Sequence, residues 1–381
     1  MTRTGPPSDV VDVAIVGAGP AGASAALRVL QRRPGARVVL LDAAAFPRDK
    51  TCGDGVAAHV FDLLDALGVP DLRPLGPAVP GLRLRSPGGR VVARTCARPN
   101  RPIRRAEFDA RLVEAAVARG AVLHHRRVRA LDVRPDHVVL DGVLAARVVI
   151  GADGANSAVR RLVGAPRTAS RSTAVAVRGY TRTLVRPDDL VISFERGRVP
   201  AYAWAFPLAD GGANVGFGVF ARDAGATRAD MLAALGRLLP GQEPDPATVR
   251  GHHLPLSTAP RHHPDGRVLL AGDAAALVNP LTGEGIYDAV ASGALAGEAA
   301  LRGGDAGRAH REAMRRAFGR HRSHLAVLAR LLPVPGFLDA AVAAAARHQG
   351  VFDAAVDLGL AGGTADRHAL LRVAQSWVTL G

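Results

Sequence analysis

The chain has 381 residues, of which 48% are hydrophobic, and it carries a formal net charge of +15. This length and composition are typical of a globular protein with two domains or one elaborated domain, and they exclude an intrinsically disordered chain. The chain has no charge-free window of 18 apolar residues, so we predict no transmembrane helix. Residues 1–9 hold no apolar core, which argues against a signal peptide.

The cysteines and the basic residues indicate the location of the protein and the partners that it could bind. Cys52 and Cys96 are too few for a disulfide framework, and they favour a reducing, cytoplasmic location. Lys50 is the only lysine among 49 basic residues. A basic chain can bind nucleic acid, an anionic membrane or an acidic substrate. Because zinc-ligand spacing, an aromatic RNA motif and a dense basic tail are all missing from the sequence, we predict no nucleic-acid partner.

The first predicted elements form a dinucleotide-binding unit. Residues 11–16 are a β-branched run that predicts a buried parallel strand, and residues 20–32 predict a helix. Between them, Gly17 allows a tight turn and Gly19 lets the backbone approach a pyrophosphate, while Gly22 permits close helix–strand packing. The amides at the start of that helix would point at the phosphates.

A second apolar run, residues 38–41, ends at Asp42, which lies 20 residues after Gly22. An acidic residue at this spacing binds the ribose hydroxyls of a dinucleotide. The alternative is a glycine-rich turn without a ligand. The strand, helix, second strand and acid occur together, and this combination favours the dinucleotide.

The middle of the chain alternates between helix and strand patterns. Residues 81–94 predict a hairpin around Pro87-Gly88-Gly89, and residues 105–119 predict an amphipathic helix. Short strands are predicted near residues 121–124, 127–133, 137–140 and 147–150. Successive antiparallel strands separated by Gly, Pro and Asp turns are predicted at residues 173–180, 190–194, 201–206 and 214–220.

Two further glycine-rich stretches follow strand-like runs. Gly151-Ala152-Asp153-Gly154 follows residues 147–150, and its carboxylate could reach sugar-like hydroxyls or form a local Asx turn. After the strand at 268–270, Asp273 is placed to accept a hydrogen bond from a ribityl hydroxyl. The amides of residues 280–285 could stabilise negative charge on the N1/O2 edge of a reduced flavin. In this order, the three stretches predict one bound FAD.

These segments predict an α/β protein. It has a Rossmann-like FAD-binding domain with an inserted antiparallel β-sheet substrate domain and a helical C-terminus. The predicted domains are an FAD-binding domain at 9–80, 95–170 and 255–305, a substrate-binding domain at 81–94 and 171–254, and a helical region at 306–381.

Four motifs carry a resemblance to a known family. They lie at residues 46–55, 105–109, 202–207 and 279–287, and they include a cysteine loop and Tyr202-Ala203-Trp204-Ala205-Phe206-Pro207. The chain resembles the geranylgeranyl reductase branch of the p-hydroxybenzoate hydroxylase superfamily of FAD enzymes. Some members carry a lysine after the aromatic motif, where this chain has Leu208, which leaves the substrate open.

The resemblance and the glycine motifs together imply a set of cofactor contacts. Arg105 would contact FAD, and Cys52 would lie in a loop beside the isoalloxazine. The full cofactor set is Gly17, Gly19, Pro20, Ala21, Gly22, Asp42, Cys52, Gly53, Arg105, Val128, Asp153, Gly272, Asp273, Pro280, Gly283, Gly285 and Ile286.

Cys52 is the candidate catalytic residue, with its chemical role open. The alternative is that Cys52 has no chemical role and is only a small buried apolar side chain. Its loop precedes a predicted helix, whose N-terminus would lower the pKa of the thiol.

The aromatic motif predicts a substrate wall. On a strand, Tyr202, Trp204 and Phe206 share one face, which suits an isoprenoid chain or a flat ring. The alternative is an aromatic stripe in the protein core. The resemblance implies that the three side chains line a long apolar cavity for a small lipophilic substrate.

Two flavin chemistries fit this fold. In the first, reduced FAD delivers a hydride to a carbon–carbon double bond of an isoprenoid-like or polyketide-like substrate. In the second, a monooxygenase reacts through a C4a-hydroperoxide. The cysteine loop and the aromatic motif favour the reductase. A flavin halogenase needs a lysine well beyond the first nucleotide unit and is excluded, since Lys50 is the only lysine.

A non-catalytic flavin-binding module is the alternative from another class, and the loop at 282–285 argues against it. The sequence holds one dinucleotide fingerprint, so we expect NAD(P)H or a protein electron donor to reduce the FAD transiently.

Two remaining features have competing interpretations. The basic amphipathic helix predicted at 306–332 fits either peripheral membrane contact or a solvated face packed on its own protein. The doublets at 124–125, 252–253 and 262–263 are histidine pairs. Neighbours on a strand point to opposite faces, so we predict no metal site.

Overall fold

The computed structural model describes residues 10–166, 168–182, 186–197, 200–220, 226–259 and 262–379. In chain order, the first elements are β1 (Val11–Val16), α1 (Pro20–Arg32), β2 (Val38–Asp42), β3 (Gly55–Val56), α2 (Ala58–Ala66), β4 (Val79–Arg85), β5 (Val91–Pro102), α3 (Arg105–Ala118), β6 (Val122–His125), β7 (Leu131–Val133), β8 (Val138–Leu140), β9 (Leu144–Gly151) and α4 (Ala158–Leu162). They are followed by β10 (Thr173–Thr181), β11 (Asp189–Phe194), β12 (Ala201–Pro207), β13 (Ala213–Phe220), α5 (Arg228–Leu238), β14 (Arg250–Pro255), β15 (Val268–Leu270), α6 (Ile286–Ala300), α7 (Ala306–Leu331), α8 (Phe337–Arg347), α9 (Gln349–Leu360) and α10 (Arg367–Val378).

The first sheet carries the dinucleotide-binding strands. Its order is β6-β2-β1-β9, with β15 beside β9, and all of these neighbours pair in parallel. Strands β8 and β7 extend it antiparallel. Val13 and Ile15 of β1 pack into one apolar cluster, and Ala14 and Val16 pack into another. Because both faces of β1 are covered, it is the buried parallel strand that the sequence predicts.

Glycines set the spacing of the helix pair behind this sheet. A Cβ on Gly293 of α6 would lie 2.1 Å from the carbonyl oxygen of Ala21, and a Cβ on Gly297 would lie 2.4 Å from that of Ala25. Helices α1 and α6 therefore touch backbone to backbone. This contact fixes the N-terminal end of α1, where the first glycine motif lies.

The second sheet has the order β14-β10-β13-β12-β11-β4-β5-β3. Its neighbours pair antiparallel except β11 and β4, which are parallel. One face packs on α5, with Phe217 and Met231 in the same apolar cluster. The predicted antiparallel strands at 173–220 are confirmed. The predicted hairpin at 81–94 is also present, and β5 runs on past residue 94 to Pro102.

Some elements differ from the sequence-based expectation. The strand predicted at 127–133 begins only at Leu131. Strand β14 was not predicted, because its first residues lack an apolar alternation and Gly251 has low strand propensity; pairing with β10 supplies the hydrogen bonds that hold it. Helix α2 is the helix expected after the cysteine loop, whereas α5 was not predicted, although it buries a short apolar stripe against its neighbours.

The C-terminal helices confirm the predicted helical region. Val342 of α8 and Phe352 of α9 pack against Leu82 and Val92 of the second sheet. Arg94 donates to the carbonyl oxygens of Ala345 (2.9 Å) and Ala346 (2.7 Å) at the end of α8. Among the residues that the structure describes, no helix combines the length and apolarity needed to cross a membrane.

The backbone contact between α1 and α6 gives the first test. Gly297→Ala should lower the free energy of unfolding by about 2 kcal/mol, because its methyl group overlaps the Ala25 carbonyl and forces the helices apart. Gly236→Ala in α5 is the control, since its Cβ meets nothing within 4 Å. Helix propensity predicts that the control gains up to about 1 kcal/mol. Urea denaturation measures both variants, and equal midpoints would contradict the tight contact.

Candidate functional site

The N-terminus of α1 forms an open cradle of backbone amides. Gly17 adopts a φ of 94°, and a Cβ there would lie 2.2 Å from the carbonyl oxygen of Ala152. Gly19 is the N-cap residue and Pro20 follows it, so no side chain caps the helix. Gly22 packs against the Gly17 carbonyl, where its Cβ would lie 1.8 Å away. The uncapped amides and the close backbone fit a phosphate group, as the motif predicts.

Charged residues surround this cradle. Asp42 ends β2 and accepts a hydrogen bond of 2.8 Å from the Ala18 amide. The Arg48 guanidinium lies 3.7 Å from Asp42 and 3.3 Å from Asp109. A Cβ at Gly19 would lie 3.3 Å from Arg48 Nη2. Arg48 was not predicted as a site residue, although it lies in the cysteine loop at residues 46–55. It puts a cation beside the phosphate cradle.

Arg105 is held in the site by a buried ion pair. It begins α3 and donates two hydrogen bonds, of 2.7 and 2.8 Å, to Asp109 one turn later. Burial lowers the pKa of Arg105, but the charge and hydrogen bonds of Asp109 outweigh it and raise the pKa overall. Arg105 therefore stays positively charged where the resemblance expects a contact to FAD.

Asp153 and Asp273 lie in different surroundings. Asp153 accepts hydrogen bonds from the Ser157 hydroxyl and from the amides of Ala158 (2.6 Å) and Val159 (3.1 Å). Its carboxylate thus caps the start of α4, which is a local role but differs from the Asx turn weighed as the alternative to sugar binding. Asp273 follows β15 in a short helical turn and lines the main cavity. Asp273 remains the better candidate for the ribityl hydroxyl.

The loop before α6 presents the third glycine stretch. Gly283 has a φ of 71°, and its Cβ would lie 3.3 Å from the Tyr202 hydroxyl. That hydroxyl donates to the carbonyl oxygen of Thr282. Glu284 accepts hydrogen bonds from the amides of Ile286 (2.7 Å) and Tyr287 (2.9 Å). The loop is therefore fixed both to the aromatic strand β12 and to the helix that it begins.

The cysteine loop, residues 46–55, is fastened to the second sheet. Asn214 donates hydrogen bonds of 2.8 Å to the Cys52 carbonyl oxygen and to Asp54 Oδ2. It accepts one of 3.0 Å from Trp204 Nε1. Tyr180 adds a 3.0 Å hydrogen bond to Asp54, which is fully buried. These contacts seat the loop on β10, β12 and β13.

The environment of Cys52 corrects one expectation. We expected a following helix N-terminus to lower the pKa of the thiol. Instead, strand β3 follows the loop, and α2 begins only at Ala58. Burial is the largest effect and raises the pKa of Cys52 above its ordinary value. The side chain is therefore a thiol at neutral pH, not a thiolate nucleophile.

The aromatic motif forms one wall of the main cavity. Tyr202, Trp204 and Phe206 of β12 all line it, whereas Ala203 and Ala205 pack on the opposite face with α5. The alternation predicted for this strand is confirmed. Gly53 and Gly55 of the cysteine loop lie against the ring of Phe206, where a Cβ would be 3.3 Å away. The cysteine loop and the aromatic wall thus enclose the same space.

The main cavity has a volume of about 1110 Å³ and joins two regions. One region contains most of the predicted cofactor set, including Val128, Gly272 and Ile286; Gly22 and Pro280 do not line it. The other region is apolar, as expected for a long apolar cavity, but the part that the C-terminal helices play in it was not predicted. Its wall is made by side chains from the C-terminal helices: Leu328, Leu332, Phe337, Leu338, Val342, Val351, Phe352, Val356, Leu370 and Val373.

The histidine doublet of β14 departs from simple strand alternation. The rings of His252 and His253 stack, with centroids 5.3 Å apart, instead of diverging to opposite faces. His252 lines the main cavity and lies 2.8 Å from Lys50 Nζ. Burial, and next the charge of Lys50, lower the pKa of His252 to about 3, so the ring is neutral. His252 and Lys50 were not among the predicted site residues and are additions to them.

Comparison with known proteins fits this geometry. The family model described as an FAD binding domain matches residues 10–192. The chain is 33% identical to digeranylgeranylglycerophospholipid reductase 1 of Methanopyrus kandleri, over 76% of this chain and 80% of that protein. It is 35% identical to menaquinone reductase of Mycolicibacterium smegmatis, over 86% of each chain. The chain belongs to the geranylgeranyl reductase family of FAD-dependent oxidoreductases.

A solved structure has the same fold as this chain. The geranylgeranyl bacteriochlorophyll reductase-like protein of Thermoplasma acidophilum superposes with a TM-score of 0.80, covering 97% of each chain at 20% identity. At this identity the likeness concerns the fold. The family, the α/β fold class and the FAD cofactor predicted from the motifs are confirmed.

The buried carboxyl of Glu284 gives a test by pH. Burial raises its pKa to about 7 from an ordinary 4.5. Between these values the unfolded chain has released this proton and the folded protein has kept it, so Glu284 makes stability fall as pH rises. Glu284→Gln removes that contribution. From about pH 5 to pH 8, the variant should gain up to about 3 kcal/mol relative to wild type. Urea denaturation across this range measures the difference, and parallel pH profiles would contradict the raised pKa.

Proposed function

We propose that the protein is an FAD-dependent reductase that saturates a carbon–carbon double bond in the isoprenoid chain of a lipid. The observation that supports this most directly is the continuity of the main cavity. It runs from the phosphate cradle past Cys52 and the aromatic wall into the apolar region under α7–α10. A long isoprenoid chain could therefore lie with one double bond beside the cysteine loop.

The relatives support an isoprenoid lipid as the substrate class. The curated relatives are named menaquinone reductase and digeranylgeranylglycerophospholipid reductase, and both names denote reductases of isoprenoid lipids. The mycobacterial match covers more of both chains, which favours a prenylated quinone over a glycerolipid. The apolar wall would bury the prenyl chain, while Tyr202 and Trp204, already engaged through their own polar atoms, offer it ring faces.

Each part of the site has a task in this reaction. Saturation adds a hydride and a proton to the double bond, and bound FAD supplies the hydride when it is reduced. The α1 cradle, Asp42 and Arg105 hold the cofactor, while Asp273 orients it. The cysteine loop and Phe206 shape the space next to the reacting carbons and exclude water. We keep NAD(P)H or a protein donor as the predicted source of electrons.

Reductase and monooxygenase chemistry differ in their need for oxygen. The reduced protein, under strict anaerobiosis with a prenylated quinone in detergent, should yield a product that is still heavier by about 2 Da after the extracted lipid is reoxidised in air, since one hydride and one proton are added to the chain. Reoxidation returns any quinol to the quinone, so reduction of the ring alone would leave no gain in mass. Mass spectrometry of the extracted lipid measures this. The matched control is protein reduced without substrate and then oxidised. A product that gains one atom from labelled dioxygen, with no anaerobic turnover, would instead support the monooxygenase.

Peripheral membrane contact is the second part of the proposal. The basic helix α7 uses several arginines internally: Arg308 pairs with Asp305 (3.0 Å), and Arg311 pairs with Asp265. These two arginines of its first half are therefore paired with acidic residues of the chain itself. The second half differs, because the chain has no Asp or Glu between residues 313 and 338, or after residue 366.

This acid-free region forms a rim at the apolar end of the cavity. We define the membrane rim as the exposed residues Val327, Arg330, Val334, Leu371 and Arg372. Ala365, just before α10, donates to His324 of α7, and Trp377 of α10 packs on Phe337 of α8, so α10 contacts both neighbouring helices. Leu370 lines the cavity and is also 42% exposed, so the cavity reaches the surface here. Exposed apolar side chains beside arginines fit an anionic lipid surface.

Vesicle binding tests the membrane rim. Leu371→Asp should reduce cosedimentation with phosphatidylglycerol vesicles about tenfold, because it replaces a side chain that inserts with one that anionic lipid repels. Val117→Asp on α3 is the matched control, since Val117 is 43% exposed but lies away from the rim, and it should bind as wild type does. Equal loss in both variants, or no wild-type binding at low salt, would contradict the rim.

A further inference from the structure

Lys50, the only lysine of the chain, lies in the cysteine loop between two parts of the cofactor site. Arg48, two residues earlier, lies beside the phosphate cradle at Gly19. Cys52, two residues later, lies beside the aromatic wall. All three side chains line the main cavity. Lys50 is therefore placed between the phosphate cradle and the aromatic wall.

The partner of Lys50 sets it apart from neighbouring cations. Arg105 is paired with Asp109, and Arg178 is paired with Asp49. Lys50 Nζ instead lies 2.8 Å from Nε2 of His252, whose ring is neutral. A neutral imidazole accepts a hydrogen bond without cancelling the charge, whereas a carboxylate would cancel it. The positive charge of Lys50 therefore stays available to a ligand in the cavity.

The surroundings of this ammonium group contain both signs of charge. Apart from burial, the carboxylates of Asp273 and Asp109 raise the pKa of Lys50 and the guanidinium of Arg105 lowers it, while His252 and Cys52 are neutral. Asp109 is already bound by Arg105. Burial is the main effect that lowers the pKa of Lys50. A buried cation without a carboxylate partner is costly, and an anionic ligand beside it would relieve that cost.

We propose that Lys50 is the cation that stabilises the negative charge of the reduced flavin, and that His252 positions it. A reduced isoalloxazine carries a negative charge at its N1/O2 edge, and a nearby positive charge tunes its reduction potential. The inference deepens the proposed function, and it requires only that FAD binds. It assigns Lys50 a contact to the cofactor, and it makes His252 a positioning residue that acts through Lys50.

The reduction potential of bound FAD tests this proposal without substrate. In Lys50→Met, reduced FAD should bind at least tenfold more weakly relative to oxidised FAD than it does in wild type. For a two-electron couple, each tenfold change in this ratio makes the potential about 30 mV more negative. Anaerobic titration against a redox dye, followed by flavin absorbance, gives the potential. Lys50→Arg, which keeps the charge, should restore most of the shift.

Arg48→Met is the matched control, since it also removes one cation from the cofactor site. Because Arg48 lies at the phosphate cradle, it should weaken oxidised and reduced FAD equally and leave the potential unchanged. The same equal weakening in Lys50→Met would overturn the proposal, because it would show a phosphate contact. An unchanged potential in Lys50→Met would overturn it as well.

His252→Leu keeps the test decisive if Lys50→Met does not retain FAD. The lysine remains in this variant but loses its hydrogen-bond partner, so a negative shift smaller than that of Lys50→Met is expected. An unchanged ratio of oxidised to reduced binding in His252→Leu would then overturn the proposal. Wild-type protein that binds no FAD would instead contradict the proposed function, so the two failures are distinguishable.

Discussion

The hydrogen bonds of Asn214 hold the two halves of the site together. This single amide contacts the cysteine loop at Cys52 and Asp54 and accepts from Trp204 on the aromatic wall. The loop follows the dinucleotide unit in sequence, whereas the wall belongs to the second sheet. The cavity is continuous because these parts meet at Asn214. A buried network of this kind is sensitive to any missing member, since each unpaired polar group would lose its compensation.

Asp54 lies at this junction, where its carboxyl is buried and its backbone turns the loop. Its carboxyl is fully buried with a φ of 60°, and burial raises its pKa. Hydrogen bonds from Asn214 and Tyr180 offset the burial. The left-handed backbone at this residue turns the loop back toward β3, which pairs with β5. The loop is therefore held between the sheets instead of projecting into solvent.

The sequence was informative where the chemistry is local. Gly19 caps the helix and Gly22 contacts Gly17 within one strand–turn–helix unit, so the spacing predicted the cradle, although Gly17 also packs on the distant Ala152. The side-chain alternation of Tyr202, Trp204 and Phe206 is also a local property, and the structure confirms it. Asp153 illustrates the opposite case. Its two interpretations share one local pattern, and only the hydrogen bonds to α4 show the capping role.

Tertiary contacts account for what the sequence did not predict. The pKa of Cys52 depends on burial by residues far away in the chain, so the loop pattern alone suggested the wrong direction. The contact between Lys50 and His252 spans 202 residues, and no spacing rule links them. Likewise, the apolar wall comes from helices α7–α10, whose inward faces read as ordinary core in the sequence.

The apolar region beneath the C-terminal helices has a consequence for regiochemistry. An isoprenoid chain contains many similar double bonds, and no single bond differs enough in chemistry to be selected by recognition alone. The depth to which the isoprenoid chain enters the cavity can make this selection. An isoprenoid chain that enters beside Leu370 and ends against the inner wall would bring one particular double bond to Cys52. The helices would then determine which double bond is reduced. Changing the bulk of Phe352 or Val356 would then alter which bond is reduced, not how fast.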